Sequence, residues 1–290
     1  MNQRPIHLLQ LGIAIFIMSS SGTLGRFIDL PPPITIWLRA IIATLTLFIL
    51  IKILKVPLSI GWGRQFNLLF ISSIFFAGHW VSYFYSLQMS TVAIGMLSMF
   101  TYPVMTAILE PIILKTKFDK ISIWLSLIAF VGVYFLAPNL DFNNSVTLGV
   151  GLGLVSALLY SLRNILLKKN ISQHSGLTLM LYQMAIIVLL LFPIVFFFDL
   201  EWKTRLTVET WEALLILGVL TSAVGHTLFV KSFRFFTVST VSILSCLTPL
   251  LGTGLGFLVL GEVPKGRTLL AGSIILATAV IESYRSIRSR

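Results

Sequence analysis

Long apolar blocks alternate with short polar breaks along this chain. Each block is about as long as a helix must be to cross the hydrocarbon core of a bilayer, roughly 20 residues. The breaks hold most of the charged residues, prolines and asparagines. Read between breaks, the pattern predicts about ten spans. In the first half these are Leu8–Ile28, Pro33–Leu54, Phe66–Leu87, Val92–Leu114 and Ile121–Ala137. In the second they are Thr147–Leu167, Leu177–Phe198, Trp211–Phe233, Val238–Leu260 and Thr268–Tyr284. The expected fold class is an all-α integral membrane bundle. The first block is read as a span rather than a cleaved leader, because no small-residue cleavage site follows it.

Composition agrees with this pattern. Hydrophobic residues make up 57% of the 290 positions and charged residues 11%, more apolar surface than a single water-soluble core buries. A lipid bilayer is therefore the expected surrounding. The net charge of +11 raises the question of nucleic acid, but Lys and Arg are scattered among loops and form no basic stripe with interleaved aromatics, so no nucleic-acid partner is expected.

The cations sort by side of the membrane instead. With the N-terminus in the cytoplasm, Lys52, Lys55, Arg64, Lys115, Lys117, Lys120, Arg163, Lys168, Lys169, Lys231 and Arg234 fall inside, whereas Arg26, Lys203, Arg205, Lys265 and Arg267 fall outside. This is the bias of the positive-inside rule in a cell membrane, and an even span count returns the C-terminus to the cytoplasm. The single cysteine, Cys246, lies in an apolar run and is read as packing. The oligomeric state is left open.

The two halves repeat. Leu11-Gly12 precedes Arg26 by the interval at which Leu148-Gly149 precedes Arg163, and Ser19 then falls on Ser156. Gly78-His79 matches Gly225-His226; after a one-residue shift Thr91-Val92 matches Thr237-Val238, and Pro103 lands on Pro249. The expected units are residues 1–140 and 141–290. Five spans per unit is an odd number, so the second copy enters the membrane from the opposite face. Ten transmembrane helices in two inverted five-helix repeats around a central cavity is the architecture of many secondary transporters, with substrate held near the midplane.

Particular motifs resemble a known family. The block from Thr237-Val238-Ser239 through Thr248-Pro249-Leu250 to Leu260-Gly261-Glu262 resembles the fourth-helix signature of the EamA-like family in the drug/metabolite transporter superfamily. Thr91-Val92-Ala93 through Tyr102-Pro103-Val104 is a similar first copy, and Trp37-Leu38-Arg39-Ala40 resembles a second-span motif in which Ala40 replaces an aromatic. The resemblance implies ten spans in two fives, and export of amino acids or other small metabolites by alternating access. The glutamate after the fourth helix is present as Glu262 in the second copy; its first-copy counterpart is Thr116, with Glu110 lying earlier.

Polar groups at bilayer depth are costly, which makes them the first candidates for a pathway. His79 and His226 hold near-equivalent positions in the third and eighth spans and suit proton relay or carboxylate binding; the alternative is a neutral ring bonded to a carbonyl. Arg39, about two turns into its span, offers a fork to a substrate carboxylate, or else snorkels to the headgroups. Arg26 and Arg163 read as interfacial span ends. Trp80, Tyr83, Tyr102, Tyr160 and Tyr182, with Gln183, are candidate cavity walls. Pro103 and Pro249 fall mid-span as candidate hinges, each removing a helical hydrogen bond. Glu110 is a possible proton site, the bland reading being an ion pair with Lys115, Lys117 or a nearby arginine.

Other chemistry finds little support. Gly149 with Gly153, and Gly252 with Gly256, are i, i+4 pairs that permit close helix approach and do not form a phosphate loop. No cofactor, metal site or catalytic group is expected, since His79, His226 and Glu110 lack metalloprotease spacing and no serine sits in a nucleophile elbow. Multidrug efflux is the alternative transport reading; an intramembrane enzyme is the alternative class.

Overall fold

The computed structural model describes residues 4–115, 120–136, 141, 143–168, 174–236, 241 and 244–288. Thr116, Lys117, Ala137, Lys169 and the motif start Thr237-Val238-Ser239 lie outside the described residues. Among the described residues there is no strand. The helices are α1 (Arg4–Phe27), α2 (Pro32–Leu54), α3 (Arg64–Met89), α4 (Val92–Met99), α5 (Tyr102–Leu114), α6 (Lys120–Leu136), α7 (Ser145–Lys168), α8 (Gly176–Val195), α9 (Val208–Leu215), α10 (His226–Ser232), α11 (Leu247–Leu260) and α12 (Gly266–Arg288). A π segment, Ile216–Gly225, joins α9 to α10, and a short 3-10 turn covers Leu200–Arg205.

Among the described residues, seven stretches are long and apolar enough to cross a membrane: Ile6–Phe27, Pro32–Leu54, Arg64–Met89, Val92–Ile113, Ser145–Lys168, Gly176–Val195 and Val208–Ser232. Three shorter apolar helices, Ile123–Leu136, Leu247–Leu260 and Gly266–Ile281, fall where the remaining three spans were predicted.

Local chemistry explains the boundaries. Pro at the first turn of α2 is tolerated because its missing amide has no helical partner there. The Thr91 and Thr207 side chains cap α4 and α9 by accepting from the amides of Ile94 and Thr210. Asn144 does the same for α7, its Oδ1 accepting from Val146 and Thr147. Gly261, at φ 67°, ends α11 in the left-handed region, and the Glu262 amide donates back to the Gly256 carbonyl.

The fourth span departs from the mid-helix kink expected at Pro103. It is two helices joined at Phe100 and Thr101, where Thr101 N donates to the Ser98 carbonyl and Val104 N to the Thr101 carbonyl. These are the tight three-residue bonds of a 3-10 turn. Pro103 thus sits in the first turn of α5 instead of interrupting a helix. The ninth span breaks at Cys246, and Pro249 follows in the first turn of α11.

Packing between the halves comes in matched pairs. α2 packs on α8 and α6 on α12, each pairing a helix with its counterpart in the other half. The packing of α1 on α11 has its counterpart in α7 on α4 and α5. That of α1 on the π segment and α10 has its counterpart in α7 on α3. α4 is wedged between α7 and α11. A Cβ on Gly153 of α7 would collide with the Ser98 side chain, and one on Gly252 of α11 with Met96. Glycine is needed at 153 for this close approach, whereas at 252 the flexible end of Met96 would have to move aside. Gly252 faces Met96 while Gly256 faces Val92, so α11 runs antiparallel to α4.

Candidate functional site

α1, α3, the α4–α5 break, α7, α10 and the start of α11 enclose a small central chamber. His79, Trp80, Tyr83, Tyr102, Tyr160 and His226 all line it, so six of the predicted wall residues are brought together. Met96, Met99, Phe100 and Phe229 supply apolar wall that the sequence reading had not singled out, and Ser21, Ser245 and Thr248 add hydroxyls. Its volume is about 40 Å³, room for a water-sized group; sites for small molecules usually offer some 300 Å³ or more.

His79 is fixed at one wall. Its Nδ1 lies 2.7 Å from Ser156 Oγ and 3.2 Å from the Ser156 carbonyl, and its ring stacks on Tyr160 with centroids 4.5 Å apart. His226 meets Phe76 and Trp80 edge-on at 5.3 and 5.4 Å, and its buried Nδ1 has no hydrogen-bond partner. The histidines are equivalent in the repeat but not in their surroundings: His226 keeps a buried polar atom unsatisfied, an arrangement that costs free energy until something bonds to it.

Two arginines stand directly behind the wall. Arg39 is fully buried, which removes the snorkelling alternative. Its Nε donates to Ser222 Oγ at 2.6 Å, Nη1 to Ser21 Oγ at 3.2 Å and Nη2 to Thr221 Oγ1 at 2.9 Å, while its guanidinium carbon lies 4.0 Å from the centroid of Trp80. Arg163, expected at an interface, is also fully buried. Its Nη1 donates to Asn164 Oδ1 at 2.9 Å and its Nη2 to Gln183 Oε1 at 2.6 Å, and it lies 4.2 Å over Phe76. Gln183 in turn donates to Ser72 Oγ at 3.0 Å, so it positions Arg163 from behind the wall. Phe76 and Trp80 touch at 4.2 Å, completing a stack of guanidinium, ring, ring and guanidinium.

Among the described residues no Asp or Glu is buried. Among the described residues both guanidinium charges are therefore met by hydroxyls, amide oxygens, aromatic faces and, for Arg163, the Met180 sulfur at 3.5 Å. Desolvating a cation costs several kcal/mol in effect, and a buried cation–π contact returns only about 2 kcal/mol. The Nε of Arg163 has no partner at all.

The remaining predicted residues fall elsewhere. Tyr182 lies apart from the chamber, its hydroxyl donating to the Leu58 carbonyl at 3.1 Å. Glu110 pairs with Lys168 at 3.2 Å, across from α5 to the end of α7; Lys117, one of the lysines named for it from sequence, lies outside the described residues. Arg26 pairs with Glu262 at 3.2 Å, and Glu262 also accepts from the Val92 amide at 2.8 Å. Among the described residues no group of three or more metal-ligating side chains comes together.

The sequence held a signal for Arg163 that was not used. Ser156, Tyr160 and Arg163 are spaced i, i+4, i+7, one helical face, and Gly153 lies on the same stripe.

Comparison with known proteins gives these features a family. The model of the EamA-like transporter family matches residues 6–137 and again residues 147–284. The chain belongs to the EamA-like transporter family. It is 21% identical over 257 residues to the pseudopaline exporter CntI of Pseudomonas aeruginosa (strain UCBPP-PA14), covering 89% of this chain and 87% of that one. The transporter YxxF of Bacillus subtilis (strain 168) is 24% identical over 251 residues, 85% of this chain and 79% of its own. A transporter of Archaeoglobus fulgidus is 27% identical over 202 residues, 69% of this chain and 70% of its own. One crystal structure of a protein superposes with a TM-score of 0.68 at 16% identity, over 97% of this chain and 99% of that one, a likeness of fold. This EamA-like protein is accordingly an integral membrane protein of a transporter family.

Proposed function

We propose that the chain is a ten-helix carrier built of two inverted repeats, 1–140 and 141–290, which exports a small carboxylate-bearing metabolite, amino acids among them, by alternating access through the central chamber. The carrying observation is the pair of fully buried arginines, Arg39 and Arg163, with no buried carboxylate among the described residues to neutralise them. A substrate anion in the chamber relieves that imbalance, and its hydrophobic portion meets Met96, Met99, Phe100 and Phe229. Tyr83, Tyr102, Tyr160 and the histidines offer hydrogen bonds to its polar groups.

The matched packing of the halves, the antiparallel course of α11 on α4 and the two separate stretches matched by the family model support the inverted repeat. A relative named as an exporter supports the outward direction, and the cation bias supports cytoplasmic termini in a cell membrane. Breaks at Phe100–Thr101 and Cys246, next to the lining residues Phe100, Tyr102, Ser245 and Thr248, support Pro103 and Pro249 as the hinges on which the spans bend when access changes. Glu110, already paired with Lys168, is the proton-site candidate if transport is driven by a proton gradient.

The test is efflux from proteoliposomes loaded with a labelled panel of amino acids, other carboxylates and lipophilic cations, with and without an imposed pH gradient. Carboxylates should move and compete with one another. Movement of lipophilic cations alone would replace this reading with multidrug efflux, which the methionine and phenylalanine wall otherwise favours; chemically altered label would point to an enzyme.

A further inference from the structure

We infer that a second cavity, apart from the chamber, binds a small organic carboxylate. It lies between α4, α6, α7, α11 and α12, at the end of the structure that holds Arg26 and Glu262. Its volume is about 310 Å³, against about 40 Å³ for the chamber, and the two share no lining residue. That volume stands at the lower end of the range for small-molecule sites, so its occupant is of small-metabolite size.

Hydroxyls without partners gather in its wall. Thr268, in the first turn of α12, lines the cavity and is 7% exposed, and its hydroxyl has no hydrogen-bond partner. The unpartnered hydroxyls of Ser86 and Thr227 are sealed inside the protein; that of Thr268 keeps accessible surface and is free to donate to an occupant. Thr253 of α11 lines the same cavity and is also without a bond, although hydroxyls elsewhere in these helices donate to the carbonyl four residues back, as Thr44 does to Ala40 and Ser82 to Gly78. Thr91 makes a third: its oxygen accepts from the Ile94 amide, which leaves its proton to give.

Charge at the same place is positive. Lys265 lines the cavity and has no ion-pair partner among the described residues. Arg267 adds a second cation, 6.0 Å over Phe135, and donates to the Tyr134 carbonyl at 3.5 Å. The first helical bond of α12 runs from the Leu269 amide to the Lys265 carbonyl, so the amides of Gly266, Arg267 and Thr268 precede it without helical acceptors, at the positive end of the dipole. Glu262, the carboxylate in this wall, is already held on both oxygens, by Arg26 and by the Val92 amide. A ligand carboxylate meets the hydroxyls, the cations and the amides together. The apolar part of the lining, with Ile94, Phe135, Leu136 and Val146, takes a carbon skeleton, which inorganic phosphate lacks. This chemistry stands whether or not the chamber carries a carboxylate.

Protection of a cysteine at the cavity tests this in the full-length protein. In a Cys246→Ala background, Val263→Cys offers a thiol at a lining position that is 73% exposed. Benzoate should slow its reaction with a maleimide, and the neutral benzamide should not. Thr268→Val should raise the protecting concentration about ten-fold, the loss of one hydrogen bond to a charged group. Lys265→Ala should raise it about two- to five-fold, as for an exposed charge, and Lys203→Ala should leave it unchanged, with circular dichroism checking the fold of each variant. No protection by benzoate, or equal protection by benzamide, would overturn the site. Protection lost in Arg39→Lys but kept in Thr268→Val would place the benzoate in the chamber instead. Protection by oleate where benzoate gives none would overturn the soluble ligand in favour of a lipid.

Discussion

Arg26 and Glu262 tie the end of α1 to the turn after α11 by an ion pair of 3.2 Å, at the end of the fourth span where Glu262 also holds the Val92 amide. Lys168 and Glu110 form a pair of the same length at that span's other end. The span between them, Val92–Ile113, is about 33 Å long at 1.5 Å per residue. One partly exposed ion pair therefore ties α1 to the turn after α11 at one end of this stretch and α7 to α5 at the other.

On the alternating-access reading proposed above, breaking one of these pairs should make the chamber more accessible from that pair's side. In a Cys246→Ala background, a cysteine placed at Ser245 in the chamber wall should label faster with a membrane-impermeant thiol reagent. In Glu262→Gln the acceleration should come from the side bearing Arg26, and in Glu110→Gln from the opposite side. Exposed pairs contribute up to about 1 kcal/mol, so the change in labelling should be about two- to five-fold. Equal acceleration from both sides would mean that the pairs merely stabilise the fold.

Arg39→Lys retains a charge but loses the planar fork and the stacking on Trp80. Transport of a carboxylate substrate should fall at least ten-fold, an effect of about 1.4 kcal/mol or more, while its amide analogue is affected less. Paired uptake measurements on the two compounds would show this, and an equal loss for both would argue that Arg39 only supports the helices.

His79→Ala and His226→Ala should each reduce transport and leave the protein folded in the membrane. Ser156→Ala should reproduce part of the first defect, because Ser156 holds the His79 ring. Full activity in both histidine variants, measured in proteoliposomes, would remove them from the site.

Two glycines should answer alanine substitution with opposite signs. Gly153→Ala drives a methyl into Ser98, an overpacking that costs about 1–3 kcal/mol. Gly254→Ala meets nothing within 4 Å and gains about 1 kcal/mol of helix propensity. Thermal unfolding in detergent should show a lower midpoint for the first and a higher one for the second.

The apolar blocks and the polar residues buried among them were legible because each rests on a local requirement, span length in one case and the cost of a polar group in lipid in the other. Orientation around each helix was harder to read. In a span apolar on every face, nothing in the hydrophobic pattern separates the lipid side from the interior, which is why Tyr182 looked like wall and Arg163 like a rim residue. Lys168 could not be read as a partner of Glu110, because it lies 58 residues away in sequence and reaches it only through the packing of α7 on α5. Pro103 was read as a kink on the assumption of one continuous helix, whereas the chain tightens at Phe100–Thr101 and starts a new helix that accommodates the ring.

The π segment Ile216–Gly225 occurs just before His226, while the matching stretch before His79 lies inside the regular helix α3. A π turn is wider than an α turn and leaves the four-residue bonding pattern, so the backbone that leads into His226 is wound more loosely than the one that leads into His79, and the two rings are delivered to the same chamber from helices of different stiffness.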